Sequence, residues 1–239
     1  MTFPQEKLPQ LISYLRMLEQ KGIRSLYLDH EPGNLPEEGE TIPVETETKR
    51  PGPDNAKQEL ERLANTVAQC TECPLHESRT RTVFGTGTSA AGVLFIGEAP
   101  GRNEDLKGEP FVGRAGQLLN KILQAIDLRR EDVYITNILK CRPPDNRDPV
   151  ESEVRCCERY LVEQIELIRP GVICALGRIA AHWLLRTTAP LSALRLGEHS
   201  YRDTPVVVTY HPAALLRNPN LKRGAWEDFK KLKAMLESL

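Results

Sequence analysis

From Lys57 to the C-terminus the apolar residues fall into short, β-branched runs separated by longer stretches with helical spacing. The short runs predict strands at Val93–Ile96, Val133–Thr136, Val172–Leu176 and Val206–Thr209, and the longer stretches predict helices at about 114–126, 151–168, 178–186 and 223–238. Strands that are apolar at every position need cover on both faces, and helices lying between them in sequence supply it. The pattern therefore reads as an α/β fold built on a parallel sheet. In such sheets ligands gather at the loops that follow the strand C-termini, so those loops are where chemistry is expected.

Ahead of this pattern, Leu8, Leu11, Ile12, Leu15 and Leu18 recur at helical spacing over residues 5–21, which suits one amphipathic helix. Residues 31–56 are rich in Pro, Gly and Glu and poor in aromatics, so they bury too little surface to fold. The expected organisation is an N-terminal helical extension over 1–22, a flexible linker over 23–56 and one domain over 57–239. An inert extension is favoured over a helix that docks on an unknown protein partner. Residues 1–56 carry 6 Lys and Arg against 10 Asp and Glu, and the remainder 26 against 23. The mild positive excess of the domain permits a local basic groove for a nucleic acid without demanding one. No apolar run approaches the ~18 residues of a membrane span. The N-terminus lacks the cleavage site of a secretory signal, and the expected location is cytoplasmic.

Six cysteines in a chain of that kind point away from disulfides and toward metal or cluster ligation. Cys70 and Cys73 form a C-x2-C pair, and Cys141 and the adjacent Cys156 and Cys157 follow from distant segments. Four soft ligands suit zinc or an iron–sulfur cluster, and spacing does not separate the two. Cys174 lies inside an apolar strand and reads as a core residue.

Each predicted strand end carries an unusual loop. Gly97-Glu98-Ala99-Pro100-Gly101 makes a tight turn with a carboxylate beside backbone N–H groups. Phe111, between Pro110 and a glycine ahead of a helix, is a core residue or a base-stacking platform. Asn137, at the end of the second strand, offers an amide that can read a nucleobase edge. His211, after the fourth strand and before Pro212, opens an apolar turn that ends in Arg217. This turn suits a loop pressed against DNA.

Taken in order, the Cys70/Cys73 pair with Pro74-Leu75, GEAPG at 97–101, EPFVGRAGQLL at 109–119, YITNILKCRPPDNRDP at 134–149 and HPAALLRNP at 211–219 resemble the family 4 uracil-DNA glycosylases. The likeness runs from about Leu60 to the C-terminus. It implies a three-layer α/β/α fold with a central four-stranded parallel sheet, a structural 4Fe–4S cluster on Cys70, Cys73, Cys141 and Cys157, and uracil-containing DNA as partner of a monomer. The fourth ligand of the family precedes a Tyr-Leu-x-x-Gln helix, matched here by Cys157 with Tyr160, Leu161 and Gln164, which selects Cys157 over Cys156. The resemblance further implies that Phe111 stacks on an extruded uracil, Asn137 reads its amide edge and His211 hydrogen-bonds O2. Backbone groups of Gly97, Glu98 and Ala99 line the base, while Glu98 and Asn146 handle water. Leu215 or Leu216 wedges into the duplex and Arg217 holds phosphate.

A related branch that links covalently to DNA carries a basic, His-containing insertion where this chain has Cys141 to Asn146, so that chemistry is disfavoured. Two competing readings remain, a non-catalytic redox-sensing module that binds nucleic acid and a zinc-stabilised hydrolase of free nucleosides. The first has no use for Glu98, Phe111, Asn137 and His211 at strand ends, and the second none for a wedge.

Overall fold

The computed structural model describes residues 53–239. The amphipathic segment over 5–21 and nearly all of the expected linker lie outside them. The described residues begin with helix α1 (Pro53–Ala68), followed by the short α2 (Leu75–Ser78), strand β1 (Thr86–Gly87), strand β2 (Val93–Gly97) and helices α3 (Arg102–Lys107) and α4 (Arg114–Ala125). Strand β3 (Tyr134–Asn137), helix α5 (Glu151–Ile168), strand β4 (Val172–Leu176) and helices α6 (Arg178–Leu185) and α7 (Leu191–Leu194) come next. Strands β5 (His199–Tyr201) and β6 (Thr204–Thr209) and helices α8 (Pro212–Arg217) and α9 (Lys222–Glu237) complete it.

The sheet order is β1-β3-β2-β4-β6-β5. Strands β3, β2, β4 and β6 run parallel, as the apolar runs predict, and β1 and β5 add antiparallel edges to them. The sheet is thus six-stranded, with the expected four at its centre. The two edges, of two and three residues, are too short to leave a periodic signature. Helix α1 also starts at Pro53, inside the stretch assigned to the linker.

Side chains alternate across the pleat, so each central strand feeds two cores. Leu94, Ile96, Ile173, Ala175, Val206 and Val208 enter one core, against residues of α1, α5 and α6. Val93, Phe95, Ile135, Val172, Cys174 and Val207 enter the other, against α4 and α9. Cys174 is fully buried, in keeping with a core role. Among the described residues no helix is long and apolar enough to cross a membrane.

The register brings the parallel strands to a common edge. Gly97 pairs with Asn137, and Leu176 pairs with Thr209. Beyond β2 and β3 the pairing continues, with Ile138 and Leu139 donating to the carbonyls of Gly97 and Glu98 at 3.0 and 3.1 Å. The loops singled out by sequence are held side by side at this edge.

Candidate active site

Four residues from four segments converge above the end of β2. A Cβ placed on Gly97 would stand 2.3 Å from Asn137 Oδ1 and 2.8 Å from Phe111 Cζ, so only glycine admits these two side chains there. The Phe111 ring in turn lies 5.5 Å from that of His211, tilted by 31°. Phe111, Asn137 and His211 therefore share one locality with Gly97 as its floor.

Phe111 sits at φ +52°, a left-handed conformation that costs a non-glycine residue about 1–2 kcal/mol. Its surroundings hold it there. Glu104 Oε1 accepts from the backbone N–H of both Val112 and Gly113 at 2.9 Å. Arg130 donates to the carbonyls of Pro110 and Phe111 and to Asn120 Oδ1. Gly116 is required because a Cβ would fall 1.7 Å from the Phe111 carbonyl oxygen. Glu104 and Arg130 escaped the sequence reading, since a charged residue that grips a loop backbone leaves no spacing pattern.

Asn137 is buried, and among the described residues its Oδ1 has no hydrogen-bond partner. An orphaned buried acceptor costs about 1–3 kcal/mol, so its placement beside Phe111 and His211 calls for a donor from outside the chain. His211 caps α8. Its Nδ1 accepts from the backbone N–H of Ala213 at 3.1 Å. Because that backbone group can only donate, the proton of the neutral ring resides on Nε2. The ring keeps some exposed surface, yet enclosure by protein lowers its pKa to about 4, with Arg217 adding to the effect and Glu104 opposing it. The imidazole is neutral at physiological pH.

Glu98 is pushed the other way, up to about 7, by burial and by Asp148, against the pull of Arg178. Asp148 and Arg178 pair at 2.8 Å. Asn146 belongs to the same loop as Asp148, at φ +54°, and is exposed, with its Oδ1 accepting from Arg142 Nε at 2.8 Å. Leu215 is buried in the core beneath the sheet edge, while Leu216 is 45% exposed and Arg217 is exposed beside it. Leu215 is thus packing, and of the two candidate wedges only Leu216 reaches the surface.

On the opposite side of β3 a second feature gathers the cysteines. Cys70, Cys73, Cys141, Cys156 and Cys157 line one cavity together with Arg79, Lys140 and Tyr160. Cys157 Sγ accepts from Lys140 N and Cys141 Sγ from Arg79 Nη1, each at 3.3 Å. Burial raises the thiol pKa of Cys73, Cys141 and Cys157, and neighbouring cysteines raise them further. Lys140 is fully buried, and its ammonium donates to Thr136 Oγ1, the Asn137 carbonyl and Gln164 Oε1 at 2.6–2.7 Å. Among the described residues no three potential ligands are close enough to hold a metal ion directly.

The family model of the uracil DNA glycosylase superfamily matches residues 84–230, a stretch that takes in all six strands of the sheet. The chain is 48% identical to the type-4 uracil-DNA glycosylase of Archaeoglobus fulgidus over 73% of its own length and 92% of the relative's. It is 44% identical to the type-4 enzyme of Saccharolobus solfataricus, over 75% and 87% of the two chains, and 41% identical to that of Thermotoga maritima, over 74% and 95%. Likeness of this extent, covering the loops that meet above Gly97, makes the chain a member of the uracil DNA glycosylase superfamily and of its type-4 branch.

Proposed function

We propose that this protein removes uracil from DNA by hydrolysing the N-glycosidic bond of an extruded nucleotide. The observation that carries this reading is the unpartnered, buried Oδ1 of Asn137 beside Phe111 and His211. Uracil presents an N3–H donor to such an acceptor, whereas cytosine presents an N3 lone pair and is repelled. Phe111 supplies a stacking face, and its buried, braced loop keeps that face fixed.

Extruding the base costs a few kcal/mol and is easier at a mismatch. Leu216 fills the gap left in the stack, and Arg217 holds phosphate. Bond breakage leaves an oxocarbenium-like sugar and an anion spread over N1 and O2 of uracil. His211, neutral with its proton on Nε2, donates to O2, and one well-placed donor of this kind is worth about 3–4 kcal/mol. Backbone groups of the 97–99 turn line the base. Glu98, with its pKa near ambient pH, takes the proton of the attacking water, and Asn146 helps to orient that water.

The cysteine cavity suits a 4Fe–4S cluster held by Cys70, Cys73, Cys141 and Cys157. These thiols come from the turn after α1, the loop after β3 and helix α5 and line one shared cavity, a donor set that suits a thiolate-bound cluster. Arg79 and Lys140 in the cavity wall supply the positive charge that an anionic thiolate-bound group needs. When bound, the cluster cross-links segments distant in sequence and takes no part in bond cleavage.

The test is to incubate purified protein with an oligonucleotide bearing one uracil and then treat with alkali. Strand breakage at that position alone is expected. Intact strands, or equal breakage at cytosine or thymine, would remove the reading.

A further inference from the structure

A buried ion pair anchors the strand end from which His211 projects. Arg195, which follows α7, grips Asp228 of α9 with two prongs, Nε and Nη2, at 2.7 and 2.9 Å. Their side chains are only 10% and 6% exposed. Two hydroxyls then join this pair to the last residue of β6 and the residue after it. Arg195 Nη1 donates to Tyr210 Oη at 2.9 Å, and Thr209 Oγ1 donates to Asp228 Oδ2 at 2.7 Å. The guanidinium also lies 4.1 Å over the Tyr210 ring.

Thr209 and Tyr210 are the two residues before His211. A buried ion pair contributes little net stability, because desolvation offsets most of its attraction. What it does supply here is direction, since both hydroxyl links end on the short stretch that aims the imidazole. A donor displaced by about 1 Å from a departing group loses much of its effect, on the order of a hundredfold in rate. The far end of His211 is already fixed by the Nδ1 bond to Ala213, so the clamp governs the near end.

We infer that Arg195 and Asp228, acting through the hydroxyls of Thr209 and Tyr210, are positioning residues that aim His211 at the departing base. The inference rests on the role given to His211 above. It differs from a general contribution to folding, because it concerns one donor and therefore one property of the reaction, its dependence on leaving-group stability.

The variant that isolates it is Thr209→Val with Tyr210→Phe, which removes both hydroxyl links and leaves the Arg195–Asp228 pair and the aromatic ring in place. Single-turnover excision is measured on matched oligonucleotides carrying uracil or 5-fluorouracil, whose fluorine stabilises the departing anion and lessens the need for a donor. The ratio of the 5-fluorouracil rate to the uracil rate is expected to rise about fivefold in the double variant and further in His211→Ala. Adding the two substitutions to His211→Ala is expected to leave that ratio where His211→Ala alone puts it. A fall in both rates at constant ratio, or no change in either, overturns the inference, as does a rise that persists in the His211→Ala background. If His211→Ala itself leaves the ratio unchanged, the role of His211 falls first, and the clamp falls with it. Asp228→Asn, which weakens the pair directly, provides a second comparison, expected to raise the same ratio in the folded fraction.

Discussion

Two titratable side chains are driven apart by their surroundings, and that divergence assigns their roles. His211 is held neutral down to pH about 4, and Glu98 keeps a proton up to pH about 7. With Glu98 as proton acceptor, the single-turnover rate is expected to climb through pH about 7 and level above it. Glu98→Gln should lower the plateau and abolish that rise, whereas a rise unchanged in Glu98→Gln would assign the titration elsewhere. The same shift has a stability consequence of opposite sense. Since the folded protein holds this proton more tightly than the unfolded chain, stability declines from pH about 4.5 to about 7. Glu98→Gln removes the decline, and by pH 8 it should gain on the order of 1 kcal/mol over the parent after allowance for partial exposure. Denaturant titrations at pH 5 and pH 8 give the comparison. For His211→Ala, the expected loss is about a hundred- to a thousandfold in the chemical step with little change in DNA affinity.

Helix α8 and the Phe111 loop act as units, and their properties follow from where successive residues point. Leu215 faces the core and Leu216 faces solvent, so Leu216→Ala is expected to weaken excision from duplex several-fold, about five- to tenfold, while sparing single strands. Equal loss on both substrates would deny it a wedge role. The sequence alone left these two leucines undivided, because a six-residue helix is too short for periodicity to say which side is buried. The loop containing Phe111 was equally half-legible. Its Pro and glycines marked a turn, but the grip of Glu104 and Arg130 on its backbone emerges only in three dimensions. Gly116→Ala tests that grip from another side. Its new methyl group collides with the Phe111 carbonyl, and the displaced loop should reduce uracil excision at least tenfold at a cost of about 1–3 kcal/mol in stability.

Over the whole molecule, the parallel strands were legible because burial on both faces forces continuous apolar runs, and β2, β3, β4 and β6 all lie within two residues of their expected limits. The edges β1 and β5 were not, and neither was the start of α1 among prolines and glycines. The sequence singled out the cysteines, and the structure sets five of them around one cavity, but it did not single out Lys140 and Arg79 in the wall of that cavity, although a lysine next to Cys141 at the end of an apolar run was a signal available in the sequence. Those two cations now give the cavity its electrostatic logic. Burial lowers the pKa of Lys140 to about 7 and attraction to Cys157 opposes that shift, so thiolates in a bound cluster would keep its ammonium charged. The cluster would also tie the turn after α1 to α5 and to the loop after β3, restricting the unfolded chain. Cys70→Ser is therefore expected to lose the broad visible absorption of an iron–sulfur centre and on the order of 3–5 kcal/mol of stability. Its folded fraction should still prefer uracil over cytosine, since Asn137, Phe111 and His211 meet on Gly97 and not at the cavity. Elemental analysis finding zinc in the parent, or unfolding unchanged by the substitution, would refute the cluster, while a loss of base preference would show that the cavity shapes the recess itself.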